Sequence, residues 1–146
     1  YPLRRQRQMC IRDSPNLGVT YYDNKEITLA DIPGLVEGAH KGVGLGDKFL
    51  RHIERCKVLL HLIDITEKDL IGIYKKIKLE LSSYDKNLLK KREIIFFNKS
   101  DLLKKDEIEK KLKEFKNKIK KKYEVISIFV EKDIQKIKKI LIKNAN

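Results

Sequence analysis

Residues 93–101 read EIIFFNKSD, a mostly apolar run that passes without alternation into a polar turn. A run of this kind marks a strand covered on both faces, because a parallel strand between helix layers has no solvent side. The same reading applies to Val58–Ile63 (VLLHLI) upstream and to Glu124–Phe129 (EVISIF) downstream. Around these runs the period becomes that of a helix. Gly46–Arg55 carries Phe49, Leu50 and Ile53, and Lys68–Leu81 repeats through Ile73, Ile77 and Leu81. Asp106–Lys121 places Ile108, Leu112, Phe115 and Ile119 on one stripe, and a last helix from about Lys132 to Lys143 turns Ile134, Ile137 and Leu141 inward. Leu17–Tyr22 and Lys25–Ala30 flank the turn-forming pair Asp23-Asn24 and read as a hairpin. Strand alternating with helix predicts an α/β fold, a doubly wound, mostly parallel sheet with an antiparallel hairpin at one edge. Ligands of such sheets sit beyond the carboxyl ends of the strands.

Three segments lie at those ends. EIIFF runs into Asn98-Lys99-Ser100-Asp101, an N-K-x-D. The carboxylate of such an aspartate offers two acceptors that match the N1–H and exocyclic amine of guanine, a pattern adenine cannot supply. The lysine stem can cover the base, and the asparagine can tie neighbouring loops together. ITLA runs into Asp31-Ile32-Pro33-Gly34, a D-x-x-G. A carboxylate there can hold a hydrated Mg²⁺, and a glycine three residues later lets its N–H approach a terminal phosphate with no Cβ in the way. The third strand is expected to end at Ser127, where a loop N–H would meet the guanine oxygen.

The D-x-x-G opens a segment, Asp31–Gly46 (DIPGLVEGAHKGVGLG), that holds five of the seven glycines of the chain. Gly34, Gly38, Gly42, Gly44 and Gly46 permit backbone states that side chains would exclude, as a loop that changes shape with its ligand requires.

Composition narrows the function classes. A chain of 146 residues with 41% apolar positions suits one α/β domain. No run approaches the roughly 20 apolar residues of a membrane span, and no signal-type apolar segment stands at the start, so a cytoplasmic protein is expected. Cys10 and Cys56 have no metal spacing and suggest no disulfide framework. His40, His52 and His61 lack companion ligands, His61 reading as a satisfied core or edge residue, and no nucleophile–base pair points to protease-type chemistry. The formal charge of +13 fits a nucleic-acid partner. It fits equally the solvated face of a lysine-rich helix, because Lys104–Lys122 interleaves Glu107, Glu109 and Glu114.

Residues 1–14, YPLRRQRQMCIRDS, differ from the rest, with four arginines and no lysine. The peptide MCIRD corresponds to codons resembling a transposon-end adapter, so residues 1–14 are expected to be a cloning or sequencing artefact, and a basic arm touching nucleic acid is the competing reading. Without them the charge is still +10.

PNLGV (15–19), ADIPGLVEGAHKGVGLGDKFLRHIERC (30–56), VLLHLID (58–64) and the N-K-x-D together resemble the Obg family of GTPases. The resemblance implies a P-loop NTPase-like G domain over residues 15–146 that binds GTP or GDP with Mg²⁺. By position, it places Asp31 on Mg²⁺ through water, Gly34 on the γ-phosphate, Asn98, Lys99 and Asp101 on guanine, and Ser127 in a fifth motif. Ile32, Pro33, Leu35, Glu37, Gly38, Gly42, Gly44 and Gly46 would form the second switch. The fifth motif departs from the family pattern, with Ile128 in place of an alanine and Asp133 in place of a glycine, which weakens the expected loop contact. Leu35 stands where Ras-like enzymes orient water with glutamine, so no catalytic side chain is identifiable and hydrolysis is expected to be slow. Mg²⁺, a monovalent cation and a ribosomal partner would assist it. Glu37 is a candidate for placing water, with a solvated switch carboxylate the plainer reading.

The G-x-x-x-x-G-K-[ST] loop that grips phosphates does not occur in the 146 residues, and the threonines of the first switch would fall at Ile11 and Arg12. By resemblance, the strand leading into that loop lies between Glu26–Ala30 and Val58–Ile63, and the chain without it is expected to fold poorly and to be inactive alone. Each buried backbone group left unpaired there costs about 1–3 kcal/mol. The resemblance thus implies a GTPase switch acting in large ribosomal subunit assembly. The alternative is a catalytically inactive basic module that binds ribosomal RNA or protein.

Overall fold

The computed structural model describes residues 17–31, 51 and 53–145. Strands β1 (Leu17–Tyr22) and β2 (Lys25–Ala30) form the expected hairpin, in register from Leu17 opposite Ala30 to Tyr22 opposite Lys25. Asp23 and Asn24 turn the chain with φ of 50° and 58°, the left-handed geometry that a two-residue hairpin loop needs and that these residues tolerate best after glycine. Ile27 is buried on the hairpin face shared with Thr20, while Val19 and Tyr21 stand exposed on the other.

Strands β3 (Val58–Asp64), β4 (Arg92–Asn98) and β5 (Tyr123–Val125) form a parallel sheet in that spatial order. Ile95, Phe96 and Phe97 of the central strand are all buried, as an apolar run without alternation requires. Helices α1 (Leu70–Tyr84), α2 (Lys105–Ile119) and α3 (Glu131–Ala145) follow β3, β4 and β5 in turn. One core joins β3 and β4 to α1 and α2 through Ile63, Ile65, Leu70, Tyr74, Ile95, Phe97, Leu112 and Phe115. Its aromatic rings meet edge to face, Phe97 on Phe115 at 4.9 Å and Tyr74 on Phe115 at 5.7 Å, the arrangement ring quadrupoles favour. A smaller cluster packs Ile53, from the helical residues 53–55, against Leu59, Leu81 and Leu88. Helix α3 packs against both hairpin strands, whereas the two sheets share no strand pairing among the described residues.

Local chemistry explains the element ends. Asp69 caps α1 by accepting from the Gly72 N–H at 2.8 Å, and a Cβ at Gly72 would run into that carboxylate. Lys91 donates to the Glu54 and Cys56 carbonyls, satisfying acceptors at the end of a helical turn. Lys120 closes α2 in the left-handed conformation, its N–H reaching the Lys116 carbonyl. The exposed lysines and glutamates of α2 form its solvent face.

One expectation is corrected. The third parallel strand ends at Val125, although VISIF reads as a strand through Phe129. The Ile126 N–H still reaches the Phe97 carbonyl at 2.8 Å, but beyond it side-chain acceptors capture the backbone: Asp133 takes the Ser127 N–H and Asn98 takes that of Ile128. Periodicity alone cannot foresee such capture.

His61 is buried on β3 and faces Glu93, its Nε2 3.3 Å from Glu93 Oε2. Neither ring nitrogen has an aligned hydrogen-bond partner among the described residues, so it is a core histidine but not a satisfied one. The Glu93 side chain is buried near the amino end of β4 with Tyr74 Oη at 2.7 Å, Lys78 Nζ at 2.8 Å and Lys121 Nζ at 3.2 Å. Burial alone would raise its pKa, yet His61, Lys78 and Tyr74 outweigh that and hold it well below the usual carboxylate range. Burial and then Glu93 push the Tyr74 hydroxyl up.

Candidate functional site at the carboxyl ends of the strands

The parallel register sets Asp64 opposite Asn98, so the ends of β3 and β4 lie side by side. From Asn98 the chain enters Lys99 at φ 67°, and a single 3-10 turn, Ser100–Leu102, follows. A lysine pays for the left-handed region with Cβ strain, and the structure around it must fix that conformation. Two neighbouring segments do so. The Ile65 N–H donates to the Asn98 carbonyl at 3.0 Å from one side, and the Ser100 N–H donates to the Ile126 carbonyl at 3.2 Å on the other.

The tetrapeptide and the loop after β5 then interlock through side chains. Ser127, 1% exposed, donates its hydroxyl to Asp101 Oδ1 at 2.8 Å. Asn98 Oδ1 accepts from the Ile128 N–H at 3.2 Å, so the asparagine ties two loops. Asp133 Oδ2 accepts from the Ser127 N–H at 2.8 Å, and Ser127 Oγ also meets the Phe129 N–H at 3.4 Å. Asp101 itself is exposed, and the contact with Ser127 leaves its second oxygen open to solvent among the described residues.

Asp64 and Lys99 close the other flank. Lys99 Nζ donates to Asp64 Oδ2 at 2.6 Å, while Asp64 Oδ1 accepts from the Thr66 N–H at 2.9 Å and from its hydroxyl at 2.7 Å. The lysine first, and Thr66 second, hold the Asp64 carboxyl at about 2, and Asp64 raises the pKa of Lys99 in return. Lys111 of α2 donates to the carbonyls of Ile65 and Glu67, bracing this turn from behind.

The structure thus brings together Asn98, Lys99, Asp101 and Ser127. Asp31, exposed, lies just past β2, and Ile32, Pro33, Gly34, Leu35, Glu37, Gly38, Gly42, Gly44 and Gly46 lie outside the described residues. Three residues went unread in the sequence as parts of this edge. Asp64 and Thr66 form a D-x-T turn after an apolar run, which is a recognisable signal; Asp133 stood out only as a misplaced acid. Among the described residues no group of three or more acids, histidines or cysteines could hold a metal, and no helix is long and apolar enough to cross a membrane.

A parallel strand ending in an N-K-x-D whose asparagine and aspartate are locked to the next loop stands at the carboxyl edge of the sheet, where α/β folds of this kind hold their ligands. Residues 9–99 match the family model described as 50S ribosome-binding GTPase, and the chain belongs to that family, among its Obg GTPases. It is 66% identical over 106 residues, 72% of the chain, to the GTPase Obg of Pelagibacter ubique (strain HTCC1062), covering 32% of that protein. It is 50% identical over 129 residues to GTPase Obg of Rickettsia felis (strain ATCC VR-1525 / URRWXCal2), covering 88% of the chain and 39% of the relative. The GTPase Obg of Ehrlichia ruminantium (strain Gardel) is 52% identical over 132 residues, 90% of the chain and 38% of the relative. The chain therefore spans between about a third and two fifths of these relatives.

Proposed function

We propose that this chain carries the guanine-recognising part of a GTP-binding, GTP-hydrolysing switch domain that acts in assembly of the large ribosomal subunit in the cytoplasm. The observation that carries the reading is the Asp101–Ser127 hydrogen bond beside the Asn98–Ile128 contact, which presents an exposed carboxylate in fixed orientation at the end of the central strand. Such a carboxylate accepts from the N1–H and amine of guanine, whereas adenine offers an acceptor at N1 and repels it. Guanine specificity follows from that mismatch.

Asp31 and Gly34 supply the phosphate side of the reading. An exposed carboxylate past a strand end suits Mg²⁺, which binds through one or two carboxylates and otherwise through water and phosphate oxygens. Bound there, Mg²⁺ would neutralise phosphate charge. Leu35 has no acceptor to orient water, so slow turnover and stimulation by a partner are expected. The family description, 50S ribosome-binding, and the charge of +13 support a ribosomal partner.

Titrating the ¹⁵N-labelled chain with GMP and, separately, AMP tests the base edge without requiring a grip on further phosphates. Shifts at residues 98–102 and 127–129 with GMP alone support guanine recognition, and the D101N variant should abolish them. Equal responses to both nucleotides, or none, would refute it.

A further inference from the structure

We infer that Asp64 is a positioning residue for guanine binding, acting through Lys99 from the end of the neighbouring strand; the inference rests on the guanine reading of the N-K-x-D. The carboxylate divides its two oxygens between two tasks. Oδ1 takes both Thr66 donors, which fixes the carboxylate on its own turn, and Oδ2 takes the Lys99 ammonium at 2.6 Å. Lys99 is then held at both ends, by its left-handed backbone and by its ammonium, so its stem bridges the ends of β4 and β3.

A free lysine side chain samples many rotamers, and ordering it upon binding opposes association. Asp64 removes that cost before the ligand arrives. The same turn supports Asn98, because the residue after Asp64 donates its N–H to the Asn98 carbonyl, and Lys111 braces the turn through the Ile65 and Glu67 carbonyls. An ordinary surface ion pair between flexible partners contributes little. This pair differs in that the acid is anchored by two further hydrogen bonds and the lysine by its backbone, so most of the ordering is done by the fold. Asp64 touches no base atom in this scheme, and its influence passes through Lys99.

The test measures GMP and AMP affinities by NMR titration of the 146-residue chain and its D64N, D64E, K99M, D64N/K99M and D101N variants. D64N should weaken GMP about fivefold to tenfold, the usual effect of freeing one side chain, with D64E recovering part of the loss. K99M keeps the stem and removes the ammonium, so it should show a similar loss, and adding D64N to it should change nothing further. A purely structural role for Asp64 predicts additive losses, and that result overturns the inference. So does GMP affinity in D64N within twofold of the parent while D101N abolishes binding. If the parent does not prefer GMP and D101N alters nothing, the guanine reading falls and takes the inference with it. Should D64N unfold, D64E made in the parent and in K99M decides the point: the longer acid should weaken GMP in the parent background and change nothing further in K99M, and equal losses in both overturn the inference.

Discussion

The Ser127 hydroxyl donates to Asp101 Oδ1 at 2.8 Å, joining residues 26 positions apart at the ends of two adjacent parallel strands. Asp101 is exposed and Ser127 is buried, so the bond sets the direction of the carboxylate more than it stabilises the core. S127A should therefore lower GMP affinity by about tenfold, the worth of one hydrogen bond to a charged group, about 1.5 kcal/mol. The fall should exceed any loss of stability seen by denaturant titration. Unchanged affinity would mean that Asp101 orients itself without Ser127.

Asp133 holds the Ser127 N–H at 2.8 Å from the first turn of α3, where a negative charge also meets the positive end of the helix. D133A should cost about 1–2 kcal/mol in stability, since it removes both the acceptor and that charge. Urea unfolding measures this. D133G restores the residue that the family resemblance leads one to expect at this position, and comparing it with D133A separates the backbone preference from the lost acceptor.

The Glu93 side chain is 6% exposed and gathers Tyr74, Lys78, Lys121 and His61 about one carboxylate. E93A should destabilise the chain by about 2 kcal/mol. The two lysines can turn to solvent, but the Tyr74 hydroxyl loses its acceptor. The site at the far end of the strand should keep its preference for GMP, which titration of the same variant would check.

Asp64 titrates at about 2 in the folded chain, because Lys99 and then Thr66 stabilise its charged form. Its pKa is lower than the roughly 3.9 of an unfolded aspartate, so its contribution to stability is present above about pH 4 and is lost as pH falls toward 2. A ¹³C-carboxylate titration should show a midpoint near 2, moving up toward the ordinary value in K99M. A midpoint that stays put in K99M would show that Thr66 alone depresses it.

What could be read in advance follows physical range. β4 and its N-K-x-D were legible because an apolar strand and a polar turn are local signals, and the hairpin was legible because Asp23-Asn24 demands a specific turn. β5 was read one residue late at its start and four residues too far at its end, because apolar character reports burial, while the partner of an N–H depends on side chains that arrive from elsewhere, here Asn98 and Asp133. The Asp64–Lys99 contact spans 35 positions and exists only because β3 and β4 pair in parallel with those ends in register. No spacing rule within either segment announces it. The left-handed Lys99 was equally hidden, since lysine is not a residue from which that geometry is expected.

The contact of Asp133 with Ser127 also imposes an order on biosynthesis. A chain made from its amino end completes β3, β4 and the N-K-x-D before residue 133 leaves the ribosome, and until then the Ser127 N–H lacks the acceptor that holds it in the folded chain. An emerging chain thus holds the N-K-x-D before it holds the carboxylate that fixes the backbone of the neighbouring loop at Ser127.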